Sequence, residues 1–239
     1  FRSGDINELF QTCMQERVIE YEFDGSSGLI LAYNIPIKDK STDRLESSSR
    51  KRSVLSGTLR ISELPGGEKS RFFGDVRVLC TSLSSSLFDT DYEGGYSGWD
   101  EERQAQAEHL ISLAREYDNK ITTVIMGNLD SNPDAGYNIF SYNSETYDIF
   151  RYDLYYNPYL DVEKSETVKC TLCPENPISS VERPLVPDTI LFSVKDGYSF
   201  RSERIMDVPF TFETDSGKKL RSPISDHYGI KVQMKTGEE

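Results

Sequence analysis

Three short segments, in this chain order, hold residue types suited to hydrolytic chemistry: Ile125-Met126-Gly127-Asn128-Leu129-Asp130-Ser131-Asn132-Pro133, Pro187-Asp188-Thr189-Ile190-Leu191-Phe192 and Ser225-Asp226-His227-Tyr228-Gly229-Ile230. Each sets an acid, an amide or a histidine where an apolar run meets polar residues. There a strand end presents firmly held groups to a substrate. A neutral imidazole such as that of His227 takes a proton from an attacking water near neutral pH when a carboxylate fixes its tautomer. Adjacent strand residues face opposite ways, so that carboxylate need not be Asp226; Asp188, on another strand, is the candidate.

Other groups offer less. Cys170-Thr171-Leu172-Cys173 has the spacing of half a zinc site, but a tetrahedral site needs a second pair, and neither His109 nor His227 has a neighbouring ligand to complete one. The cysteines Cys13, Cys80, Cys170 and Cys173 are too few and too unevenly spaced for a disulfide framework. They suit a reducing compartment, so an intracellular location is the expectation. A formal charge of -13 over 239 residues repels phosphate backbones and argues against a nucleic-acid partner. The basic run Arg50-Lys51-Arg52 is read as a solvated loop.

The elements that must position these groups follow from periodicity. Residues 5–17 carry Ile6, Leu9, Phe10, Cys13 and Met14 at helical spacing, and residues 18–33 read as strand, turn and strand. Residues 38–52 are polar and read as a loop before a strand pair over 54–62 and 75–81, joined through Pro65-Gly66-Gly67. Residues 84–98 form a Ser- and Gly-rich loop whose aromatics, with Trp99 beyond it, either pack on the loop's own core or meet a lipid or protein partner. Residues 100–117 make the clearest helix, with Asp100 as its cap and Ala107, Leu110, Ile111 and Ala114 as its apolar stripe. A buried strand over 121–126 follows, then an aromatic-rich stretch over 137–159 and strands near 189–194, 204–212 and 230–234. Strands with only two clear helices point to mixed sheet packing rather than a regular βαβ array, in a single domain. No apolar run is long enough to cross a bilayer, so no transmembrane segment is expected. The chain opens on Phe1-Arg2-Ser3-Gly4 without Met and is read as N-terminally incomplete.

Taken in order, the three segments resemble the signature of the endonuclease/exonuclease/phosphatase superfamily, and details are similar to its neutral sphingomyelinase branch. Gly25-Ser26-Ser27-Gly28-Leu29 with Pro36-Ile37 resembles that branch's Gly-Ser-Gly-Leu strand, and Pro174-Glu175-Asn176-Pro177 its Pro-Glu-Asn-Pro loop. The resemblance implies a DNase I-like, four-layer sandwich of two mixed β-sheets flanked by helices, here lacking its first strand. It also implies Mg²⁺-assisted phosphodiester hydrolysis, with His227 as base, Asp188 orienting it and Asp226 assisting the metal or the pair. Two motifs depart from the pattern. Cys80-Thr81-Ser82-Leu83 has a Ser where the family places a phosphate-side His, and Gly127-Asn128-Leu129-Asp130 has its amide and acid exchanged. That exchange sets the Asp130 charge against a developing anion, where electrostatic stabilisation is normally the largest catalytic effect. The family's metal-binding Glu has no match in a strand, since Gln15-Glu16 sits on the helical run close to Gly25. The implied reading is a sphingomyelinase-like hydrolase fold acting as a pseudoenzyme: a non-catalytic subunit for a lipid headgroup or protein partner, with metal ligands unknown. The alternatives are an active Mg²⁺-dependent sphingomyelin phosphodiesterase and a nuclease of the same fold.

Overall fold

A computed structural model of the chain describes residues 20–33, 35, 37–48, 50–60, 74–85, 91–116, 121–133, 139–161, 168–193, 198–213 and 216–236. The strand-turn-strand signal becomes an antiparallel hairpin of β1 (Glu20–Asp24) and β2 (Leu29–Tyr33). Its turn is closed by the Asp24 carboxylate, which accepts from the hydroxyls of Ser26 and Ser27 at 2.7 Å each. Six strands follow in one mixed sheet: β3 (Ile37–Leu45), β4 (Arg52–Leu59), β5 (Val76–Ser82), β6 (Thr122–Asn128), β7 (Tyr155–Tyr156) and β8 (Asp188–Ser193), in the order β3-β4-β5-β6-β8-β7. Within it β5 and β6 run parallel. A parallel pair needs a crossover, and helix α1 (Trp99–Arg115) lies in that connection. Helix α2 (Ser144–Tyr152) packs beside α1. Strand β9 (Tyr198–Ile205) pairs with β12 (Gly229–Thr236), and β10 (Phe210–Glu213) with β11 (Lys219–Ser222).

Side chains alternate across the large sheet, and each face has its own core. Val54, Leu79, Ile125 and Leu191 meet the helix residues Ala107, Leu110, Ile111, Tyr147 and Phe150. Leu55, Val78, Val124 and Phe192 face the opposite way, onto Leu31 and Tyr33 of β2 with Phe200, Val232 and Met234 of β9 and β12. Helices cover one face and strand ribbons the other, giving an α/β sandwich.

Several expectations change. Residues 38–52 begin as strand β3 rather than a loop, because an edge strand keeps its outer face in water and buries only Ile37 and Leu45 at its ends. The stretch 204–212 breaks at Met206, φ 61°, into β9 and β10. Helix α2 escaped notice because its buried side is short, comprising Thr146, Tyr147 and Phe150. Asp100 does not cap α1: Gly98 holds the N-cap, and Asp100 pairs with Arg103 from the first turn. Trp99 meets Tyr92 edge-on at 5.0 Å, and the Tyr92 hydroxyl donates to the buried Glu102, so these two aromatics pack. The helix expected over 5–17, the link through 65–67 and the residues Leu87 and Phe88 lie outside the described residues.

Candidate functional site

Sheet order lines up four strand ends on one rim: Arg52 opens β4, Ser82 closes β5, Asn128 closes β6 and Asp188 opens β8. Ser82 is in register with Asn128, and Asn128 with Asp188. Register partners share a face, so these three side chains emerge side by side. Gly127 lets β5 and β6 close up: at φ 136°, a Cβ there would sit 1.8 Å from the Thr81 carbonyl oxygen.

The β9–β12 ribbon delivers His227, two residues before β12. Its Nδ1 lies 2.7 Å from Asp188 Oδ2. With Nδ1–H donating to that carboxylate, Nε2 carries the lone pair that takes a proton. Burial pulls the His227 pKa down, but the Asp188 hydrogen bond and charge, with Asp226 and Asp130 behind them, outweigh it and hold the value above the ordinary 6.5. The Ser225-Asp226-His227 turn is clamped from the Pro-Glu-Asn-Pro loop. Buried Asn176 donates through Nδ2 to the carbonyls of Ser225 and Asp226 at 3.0 Å each, and Tyr228 N donates to Thr171 O at 2.7 Å. Asp226 itself is exposed and accepts from Ser225 Oγ at 3.2 Å. A cleft of about 450 Å³ opens on His227 and Asp226, walled by Phe140, Tyr142, Leu172 and Arg183.

Asp130 turns away from the rim. It is 0% exposed and accepts from Arg103 Nη1 at 3.1 Å, Ser85 Oγ at 3.0 Å and Tyr142 OH at 3.2 Å. The Asp130 side chain, expected to face a developing anion, is instead buried in a pair with Arg103, from where its charge still reaches His227 and Arg52. Asn128 Oδ1 accepts from Asp130 N at 2.9 Å, an Asx turn that fixes the amide and leaves Nδ2 as its donor.

The sequence reading passed over two residues here. Asn176 was quoted within its loop without a role. Arg52, assigned to a solvated loop, donates through Nη1 to Ser82 Oγ at 2.8 Å and to Ser82 O at 3.4 Å. Burial and nearby Arg50 pull its pKa below the ordinary value, with Asp130 and Glu102 opposing. The signal was available in the sequence: Arg52 stands two residues before the strand expected over 54–62 and is the first residue of β4.

Cys170 and Cys173 are joined as a disulfide, a single bridge where no disulfide framework was expected, and this removes their support for a reducing compartment. The pair lies with Glu175 in the one metal-sized cluster of His, Cys, Asp and Glu donors found among the described residues, and sulfurs bonded to each other are not thiolate ligands. Magnesium needs several oxygen ligands. Asp130 is held under the rim by Arg103, Asp188 by His227 and Asn128 Oδ1 by a backbone amide, a guanidinium stands at Ser82, and exposed Asp226 offers a single carboxylate. The described residues do not fit a Mg²⁺ site.

The sandwich is the fold of endonuclease/exonuclease/phosphatase proteins, the DNase I-like arrangement. An endonuclease/exonuclease/phosphatase family protein from Bacteroides thetaiotaomicron matches with TM-score 0.65 at 14% identity, over 97% of this chain and 79% of that one. Beta toxin from Staphylococcus aureus matches with TM-score 0.68 at 16% identity, over 98% and 83%. D. rerio TDP2 complexed with single strand DNA product matches with TM-score 0.63 at 12% identity, over 99% and 83%. A beta toxin double mutant in this set holds bound magnesium ions. At such identities the likeness establishes the fold. No protein-family model matches the chain, and no curated protein matches it by sequence. Among the described residues, no helix is long and apolar enough to cross a membrane.

Proposed function

We propose that the chain is a phosphodiester-binding protein of this fold, related to neutral sphingomyelinases, that recognises a phosphorylated headgroup without magnesium-dependent turnover. One observation carries the reading: beside the 2.7 Å Asp188–His227 pair, the rim presents an amide and a guanidinium, while Asp130 is buried against Arg103. That arrangement keeps groups that bind a phosphoryl anion, while among the described residues Asp130 and Asp188 are committed to Arg103 and His227 rather than to a hard cation. His227, Asp188, Asn128 and Ser82 are the proposed contact residues. Asp226 is proposed to line the entrance, and Asp130 to brace Asn128 through its backbone N–H. The exposed face of Phe140, stacked against Arg183, forms an apolar wall for the headgroup's remaining substituents.

A second reading is favoured by the same Asp188–His227 geometry: an active phosphodiesterase whose metal ligands come from outside the described residues. The test is release of phosphocholine from sphingomyelin, and of nitrophenol from bis-nitrophenyl phosphate, with Mg²⁺ and with EDTA. Binding of both compounds without turnover is the expected result. Turnover that disappears with EDTA and with His227→Ala overturns the non-catalytic reading.

A further inference from the structure

We propose that Arg52 and Asn128 form a metal-independent oxyanion subsite, with the Arg52 guanidinium standing where the sphingomyelinase resemblance places a phosphate-side histidine. The inference rests on the phosphodiester reading and names the groups that hold the phosphoryl oxygens.

Four observations support it. First, Arg52 is fixed in place: Nη1 bonds both the hydroxyl and the carbonyl of Ser82, which is in register beside Asn128. Adjacent strands lie about 4.8 Å apart, so a phosphoryl group bridging the ends of β5 and β6 reaches donors on both sides. Second, no direct ion pair neutralises the cation, although Asp130 and Glu102 act on it electrostatically from further off. No carboxylate lies within ion-pair distance of Arg52 among the described residues, and its Nε is buried with no hydrogen-bond partner. A half-buried guanidinium whose Nε is shut off from water without a partner favours an anion that completes its hydrogen bonds. Third, the Asn128 amide is oriented by Asp130 N, so its remaining donor is held for a ligand rather than free to rotate. Fourth, Arg52 lines a cleft of about 320 Å³ with Arg50 and Lys51, a local positive field in a chain of net charge -13, whereas Arg44 on the same cleft is neutralised by Asp24. Such a field gathers anions that the rest of the surface repels.

The substitution pattern becomes a replacement rather than a loss. Where a metal and a histidine would share the phosphoryl charge, an arginine and an amide hold it, which suits tight binding of phosphate oxygens and supplies no metal-bound nucleophile.

The experiment is calorimetric titration of the whole chain in EDTA with inorganic phosphate, phosphocholine and bis-nitrophenyl phosphate, for wild type, Arg52→Gln, Arg52→Lys and Arg44→Gln. Arg44 already donates to Asp24 at 2.8 Å and serves as the charge control. Wild type binds, Arg52→Gln weakens binding roughly ten- to a hundredfold as a charge-assisted bond is lost, and Arg44→Gln changes it by no more than about threefold. Arg52→Lys keeps the charge without the fork and falls between, which preserves the test should the glutamine variant fail to fold. Preference for phosphocholine over inorganic phosphate marks a headgroup as the source of the anion; equal affinity marks phosphate alone, and either supports the subsite. Undiminished binding in a folded Arg52→Gln chain, equal losses at Arg44 and Arg52, or binding that needs added Mg²⁺ overturns the subsite while the phosphodiester reading stands. A wild-type chain that binds none of the probes, with or without Mg²⁺, overturns that reading itself.

Discussion

Replacing Asp188 by Asn keeps the shape of the Asp188–His227 contact and removes its charge, so the variant isolates what the carboxylate does. The two side chains are 24% and 22% exposed and 2.7 Å apart, so solvent screens the pair in part. A charge-assisted hydrogen bond contributes about 1.5–3 kcal/mol, and partial exposure places this one near the lower end, about 1–2 kcal/mol. At roughly 2–4 °C per kcal/mol for a chain of this size, the thermal midpoint falls by about 2–8 °C. The pH dependence has a definite sign. Folding raises the His227 pKa above its ordinary 6.5, although burial works against it. A group raised in this way lends stability that is complete below its unfolded pKa and is lost as pH climbs through the folded value. The gap between wild type and Asp188→Asn is therefore widest at about pH 5 and narrows at about pH 9. In the variant, burial meets weaker opposition, and the His227 pKa drops. The assay is an NMR titration of the imidazole alongside thermal melts at both pH values. An unshifted imidazole, or a midpoint loss that is constant across that range, refutes the proposed coupling.

Arg103→Met leaves Asp130 buried without its cation and costs about 3–5 kcal/mol, read as a lower urea midpoint at constant slope; an unchanged midpoint contradicts the pair. Gly127→Ala forces a side chain against the Thr81 carbonyl at a positive φ and costs at least about 2 kcal/mol by the same measure; wild-type stability would mean that β5 and β6 are not held this close. Exchanging Asn128→Asp with Asp130→Asn restores the order of the family motif, yet costs about 2–4 kcal/mol because Arg103 loses its buried partner, and it yields no Mg²⁺-dependent hydrolysis. A stable and active double variant would show that the motif order, not the surroundings, governs the site.

The parts of the fold that were legible in the sequence were those where burial sets the period. β2, β5, β6 and β8 are short apolar runs bounded by polar residues, and α1 carries its stripe at Ala107, Leu110, Ile111 and Ala114. Their ends supplied Ser82, Asn128 and Asp188, because a strand's first or last residue is identifiable even when its partners are not. Illegible were elements whose stability comes from neighbours. β3 alternates polar residues along an edge, and β11, Lys-Leu-Arg-Ser, has no pattern apart from its pairing with β10. The Cys170–Cys173 bridge was missed because spacing serves a metal and a disulfide equally well, and only the fold brings the sulfurs together. Arg52 was missed because sequence neighbours assigned it to a charged loop, while its spatial neighbour is Ser82, 30 residues away.

The exchange at Asn128 and Asp130 shows why a motif position is not yet a role. Leu129 between them is fully buried, and Asp130 takes φ 51°, a left-handed turn that an aspartate tolerates. The backbone therefore swings Asp130 off the strand's line, under the rim, and toward α1, where Arg103 is fully buried. A carboxylate is the side chain that such a pocket requires, since an amide would leave the guanidinium uncompensated. With Asp130 committed to that pair, Asn128 remains at the strand end beside Asp188. There its Oδ1 is fixed by the very residue that turned away. The acid and the amide thus form one unit with Arg103, and the charge at the motif's last position is committed to the turn that fixes the Asn128 amide at the strand end.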